Sequence, residues 1–116
     1  MKTQSAKAKG RKLQQTVRDL ILETFTDLEP DDVRSTSMGA GGEDLQLSPA
    51  ARRKFPYSVE CKNVEKLNVW GAYEQAQANC GKHEPILVMK KNRKKPLVVI
   101  DLEAFIDILK CNDELQ

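Results

Sequence analysis

Asp44, Glu60 and Lys62 are the residues of this chain whose types and spacing can do chemistry together. In "SVECKN", residues 58–63, an extended strand puts Val59 and Cys61 on one side and Ser58, Glu60 and Lys62 on the other. Glutamate and lysine are poor strand formers, so propensity does not account for that pair. Upstream, "EDLQLS" alternates in the same way, with Leu45 and Leu47 on one side and Asp44, Gln46 and Ser48 on the other. If the two strands are antiparallel neighbours, two carboxylates and one ammonium converge. Hard divalent cations such as magnesium, or manganese in its place, take carboxylate oxygens and water, and the backbone carbonyl of Cys61 can add another oxygen. A cation so held acidifies water and, with Lys62, offsets charge on a phosphate, which is the chemistry of phosphodiester hydrolysis. The plainer alternative is a solvent-facing cross-strand set contributing under about 1 kcal/mol. It explains the charges but not the loops of Gly, Ser and Arg around them, Arg34 included.

Those strands need a scaffold. Leu13, Val17, Leu20, Ile21 and Leu28 recur at helical spacing, which predicts a first helix ended by Pro30. Residues 34–42, "RSTSMGAGG", read as a loop, and "PAARRKFPY" as a connection. "LNVWGAYEQAQANCG" predicts a second helix with Val69, Tyr73, Ala76 and Cys80 on one face and Gly81 at its end. Trp70 is expected to pack in the core. "PILVMK" and "PLVVID" predict a buried hairpin around a basic turn. "DLEAFIDILKC" predicts a last helix capped by Asp101, with Leu102, Phe105, Ile108 and Leu109 facing the core. The expected fold is α/β, a mixed four-stranded sheet flanked by helices. No Gly-rich phosphate cradle has the strand before it and helix after it that it would need.

A length of 116 residues suits one domain, and residues 1–10, polar and basic, are expected to be a flexible arm before a single domain over 11–116. The net charge is only +2, from 19 basic and 17 acidic residues, so it is the distribution that matters. Positive charge gathers in Lys2, Lys7, Lys9, Arg11 and Lys12, in Arg52, Arg53 and Lys54, and in Lys90, Lys91, Arg93, Lys94 and Lys95. Around a phosphodiesterase site these clusters are candidate contacts for DNA phosphates. Cys61, Cys80 and Cys111 are odd in number and far apart, which argues against disulfides and a zinc site and fits a reducing cytoplasm. One histidine, His83, cannot build a multi-histidine centre within one chain. No apolar run reaches the roughly eighteen residues of a membrane span, and no hydrophobic segment follows the basic N-terminus.

"GEDLQLS" followed by "SVECKN" resembles the D-x(n)-E-x-K signature of the PD-(D/E)xK nuclease superfamily, and the order of helices and strands extends the resemblance over most of the chain. "RSTSMGAGGEDLQLSPAARRKFPYSVECKN" with "LNVWGAYEQA" resembles small phage and prophage nucleases described as Holliday-junction-resolvase-like. The resemblance implies a restriction-endonuclease-like core and a metal-dependent endodeoxyribonuclease acting on branched or nicked DNA in the host-cell cytoplasm. It makes Asp44 and Glu60 the metal carboxylates, Lys62 the lysine that positions or activates water, and Gln75 a glutamine on the following helix that faces the site. Glu43 stands where the motif has proline and is a rival ligand. The first-helix acid of resolvase-type members has no clear match, with Gln14, Asp19 and Glu23 all open. Asp31, in a literal Pro-Asp at a helix end, is disfavoured against Asp44. Two equivalent strands in a four-way junction imply a homodimer, for which Trp70 and the last helix offer apolar surface. A DNA-binding module that keeps the fold without activity, or a sequence-specific nuclease, are the alternatives.

Overall fold

The computed structural model describes residues 3–36 and 42–115. Residues 37–41 of the expected Gly/Ser loop, with Ser37 and Met38, and Lys2 of the first basic cluster lie outside the described residues. The chain runs α1 (Thr3–Thr24), a 3-10 turn (Pro30–Asp32), β1 (Val33–Ser35), β2 (Leu45–Leu47), α2 (Pro49–Lys54), β3 (Tyr57–Asn63), α3 (Val69–Asn79), β4 (Glu84–Lys90), β5 (Leu97–Val99) and α4 (Leu102–Glu114). The α/β class stands as expected.

The sheet does not have the expected four strands. β1 and β2 form an antiparallel pair, and β3, β4 and β5 form a second sheet in that order. β3 and β4 are parallel, with Glu60 opposite Leu87 and Lys62 opposite Met89. β4 and β5 are the antiparallel hairpin that the two apolar runs predicted, but only β4 is buried, and Leu97 and Val98 of β5 are exposed. α3 is the crossover that a parallel pair requires. β2 is therefore not the ladder partner of β3. The two sheets meet where the Asp44 N–H donates to the Val59 carbonyl at 2.9 Å.

Three further expectations are corrected. The basic N-terminus is helical from Thr3 rather than a flexible arm, because alanine and lysine are strong helix formers and continue α1 outward. The helix is also anchored, since Asn63 Nδ2 donates to the Lys9 carbonyl at 3.3 Å. The connection after β2 contains α2, with Pro49 in its first turn and the Ser48 hydroxyl accepting from the Ala51 amide at 3.1 Å. Finally, α4 begins where expected, with the Asp101 carboxylate accepting from the Ala104 amide at 3.0 Å, but it buries no residue.

Strand alternation explains how the layers assemble. Asn63 reaches α1 on one face of β3, and Glu60 reaches Asn79 of α3 on the other, so the two helices flank the sheet on opposite sides. On the α1 side, Leu13 and Ile21 pack with Val33, Leu45, Val59 and Val88 in the main core. On the α3 side, Leu87 is fully buried with Ala72 and Ala76 of the helix. Of the expected face of Val69, Tyr73, Ala76 and Cys80, only Ala76 is buried, and the other three are half-buried. Covered on both faces, β3 is buried from Ser58 to Cys61, Glu60 included.

Candidate active site

β3 is the outer strand of its sheet, and Asp44 closes its free edge. Besides the bond from the Asp44 amide to Val59, Asp44 Oδ2 accepts from the Cys61 N–H at 2.6 Å. In a strand the amide and carbonyl of one residue point to the same edge, so the Cys61 carbonyl is directed to the side where Asp44 lies. Thr36 fixes this junction from β1. Its amide donates to the Asp44 carbonyl at 2.8 Å and its hydroxyl to the Glu43 carbonyl at 2.7 Å. Asp44 is thus held by backbone on three sides, with Oδ1 the remaining carboxylate oxygen.

Glu60 projects from the α3 face and is only 5% exposed. Lys62 Nζ stands 3.7 Å from its Oε2, and Asn79 Nδ2 donates to its Oε1 at 3.4 Å. Burial raises the Glu60 pKa, and the nearby negative charge of Asp44 raises it further, against the lowering influence of Asn79 and Lys62. Asp44 is raised as well, by burial above all, while the Cys61 amide and Lys62 act the other way. Burial and both carboxylates hold the Cys61 thiol protonated, which leaves its backbone rather than its sulfur as the donor. The structure therefore brings Asp44, Glu60, Lys62 and the Cys61 backbone together.

A buried and a partly buried carboxylate, the charge of Asp44 opposing ionisation of Glu60, share a single ammonium and form a site with negative charge in excess. Their donors are hard oxygens, which fit magnesium or manganese and do not fit a soft thiophilic metal. Beside them opens a polar cleft of about 450 Å³, lined among others by Glu43, Asn79, Lys82 and His83.

Other sequence candidates separate. Glu43 is not free to serve as a rival ligand, because Arg52 forms an ion pair with it and also donates to the Tyr57 carbonyl at 2.8 Å. The same contacts commit Arg52 to the fold. Gln75 is exposed on α3, one turn before Asn79, and it is Asn79 that touches Glu60. Among the open first-helix positions, Gln14 is buried and accepts from the Ser35 hydroxyl, whereas Asp19 is exposed beside Arg18 and Glu23 is exposed. Asp31 lies 3.6 Å from Arg34 at the surface, away from the carboxylate pair. Arg11, Lys12, Arg53, Lys91, Arg93, Lys94 and Lys95 are exposed, as is Lys54, 3.7 Å from Asp27. Lys9 donates to Asn92 Oδ1 at 2.9 Å, which ties the first basic cluster to the third.

Nothing in the sequence pattern singles out Thr36. Its signal was a β-branched residue just past a three-residue strand. Asn79 carried a weak one, since it lies four residues after Gln75 and so on the same helix face. No family model, no curated protein and no solved structure matches the chain.

Proposed function

We propose that this protein is a metal-dependent endodeoxyribonuclease with a restriction-endonuclease-like core. The observation that carries this reading is the meeting of buried Glu60 with the partly buried, backbone-held Asp44, with Lys62 beside them and a backbone carbonyl directed to the same edge. Asp44, Glu60 and the Cys61 carbonyl would hold Mg2+ or Mn2+. Bound there, the cation would draw charge from the scissile phosphate and make water a better nucleophile. Lys62 positions that water and adds positive charge opposite the phosphate. Asn79 orients Glu60, and Thr36 orients Asp44. Exposed lysines and arginines on α1, α2 and the β4–β5 turn hold the DNA backbone and set affinity more than chemistry.

The preferred substrate in this reading is branched or nicked DNA, and the enzyme acts in the cytoplasm as a homodimer. Paired cuts in a four-way junction take two sites related by a two-fold axis, and α4 offers the surface for a second copy. Leu102, Phe105, Ile106 and Leu109 are exposed there. Among the described residues no helix is long and apolar enough to cross a membrane.

The test is cleavage of end-labelled four-way junction, nicked duplex and linear duplex, with Mg2+ and then with chelator. Cutting of the branched or nicked forms that chelation stops is expected. Salt-sensitive DNA binding with no cutting of any substrate in Mg2+ or Mn2+ would overturn the nuclease and leave a binding module.

A further inference from the structure

Past Lys62, at the C-terminal ends of the parallel strands β3 and β4, lies a second pocket of about 510 Å³. Its apolar walls include Leu67, Val69, Met89 and Leu97, and Lys90, Lys91, Lys94 and Lys95 also line it. Met89 is the register partner of Lys62, so the pocket begins beside the proposed site. At about 3.3 Å per residue, the strand from Glu60 to Val64 spans roughly 13 Å, a reach of a few nucleotides. The acid in the lining, Glu65, is engaged by the Asn92 amide at 2.7 Å. Beside Val69, at the start of α3, Trp70 is 81% exposed, against the expectation that it packs in the core.

A phosphate groove needs no hydrocarbon floor, and a docking site for an apolar peptide needs no ring of lysines. An apolar pocket, an exposed indole and clustered ammonium groups occur together where unpaired nucleotides bind, the bases stacking and the phosphates meeting the charge. We propose that this pocket receives an unpaired nucleotide of the DNA strand that leaves the carboxylate site, with its base against Leu97 and Trp70 and its flanking phosphates among the lysines. The inference rests on the nuclease reading and narrows its substrate to DNA with single-stranded character next to the cut.

Trp70 is the only tryptophan in the chain and follows Val69 of the lining, so all indole emission comes from next to a lining residue. Full-length Glu60→Gln protein in chelator, which removes cleavage from the measurement, is titrated with a ten-nucleotide oligothymidine and with a blunt duplex of equal length. The single strand is expected to quench Trp70 strongly and the duplex weakly. By anisotropy of the labelled oligonucleotide, Trp70→Ala is expected to weaken single-strand binding about tenfold. Leu97→Asp, at an exposed position that need not disturb folding, should weaken it at least as much. Equal quenching by duplex and single strand, or Leu97→Asp binding the single strand like the parent, would overturn the proposal. The two readings fail separately. Quenching without cleavage in the parent protein sinks the nuclease and leaves the pocket standing, whereas cleavage without quenching does the reverse.

Discussion

Where β2 meets β3 the molecule buries charge, and along β5 and α4 it exposes hydrocarbon. Glu60 is 5% exposed beside Asp44, while Phe105, Leu109 and Leu102 are 46%, 49% and 73% exposed. Both regions run against the ordinary partition of residues, in opposite directions. Buried carboxylates weaken the fold unless a cation or proton satisfies them, so their presence points to chemistry. Exposed leucines cost little in the monomer but form a patch that a second surface would cover. The difference teaches that departures from packing rules carry information by their sign: buried charge raises the question of what neutralises it, and exposed hydrocarbon the question of what covers it.

The sharpest way to break the comparison is to neutralise the buried pair. Asp44→Asn or Glu60→Gln should lower cleavage by roughly 10²–10³-fold or more while DNA affinity, measured by anisotropy, changes little. Normal turnover in either variant would return the carboxylates to a purely structural role.

Acid titration should show a smaller effect on stability. The carboxyls of Asp44 and Glu60 are raised above 3.8 and 4.5, so the folded chain holds these protons more tightly than the unfolded one. The stability linked to them is complete below those ordinary values and is lost as pH rises through the raised ones. Metal-free protein should therefore lose stability from this source as pH rises from below 3.8 through the raised values, read as a falling urea midpoint. The Asp44→Asn, Glu60→Gln double variant should flatten that slope, and Mg2+ should restore the parent at the upper end. A slope unchanged in the double variant would show that these groups do not titrate as a buried pair.

The smallest change in monomer stability belongs to the apolar end. Phe105→Asp with Leu109→Asp should shift it by no more than about 0.5 kcal/mol, yet convert a dimer to a monomer in sedimentation equilibrium. A loss above about 2 kcal/mol would mean that this face packs within its own chain. A parent that stays monomeric at micromolar concentration would remove the dimer.

Much of the positioning was legible in the sequence because it rests on periodicity. Alternation in "SVECKN" and the apolar runs of β4 and β5 give strands, and the Asp101 cap starts α4 where it starts. The convergence of Asp44 with Glu60 was legible too, although by a different route. The two residues meet through one edge contact rather than a ladder, because the short α2 helix lies between their strands and β3 takes β4 as its partner. β1 differs from the equally short β2 and β5 in holding one apolar residue, Val33, followed by Arg34 and Ser35, so no alternation or apolar run marks it. The burial of Glu60 escaped because the face covering it is built from Ala72 and Ala76, which register weakly as hydrophobic. An amphipathic pattern gave α4 an apolar side but could not say that nothing in the chain covers it.

The turn between β4 and β5 carries a run of like charges that would keep an untethered loop extended and in motion. Here the Asn92 amide is bound to Glu65 and its side chain to Lys9, Lys94 closes back on the Lys91 carbonyl at 3.2 Å, and Arg93 adopts a left-handed backbone with φ of 64°. The loss of freedom that a ligand would otherwise impose has already been taken in folding. A polyanion brought to this turn would meet an arrangement of charges fixed beforehand, so less of its binding energy would go into ordering the protein.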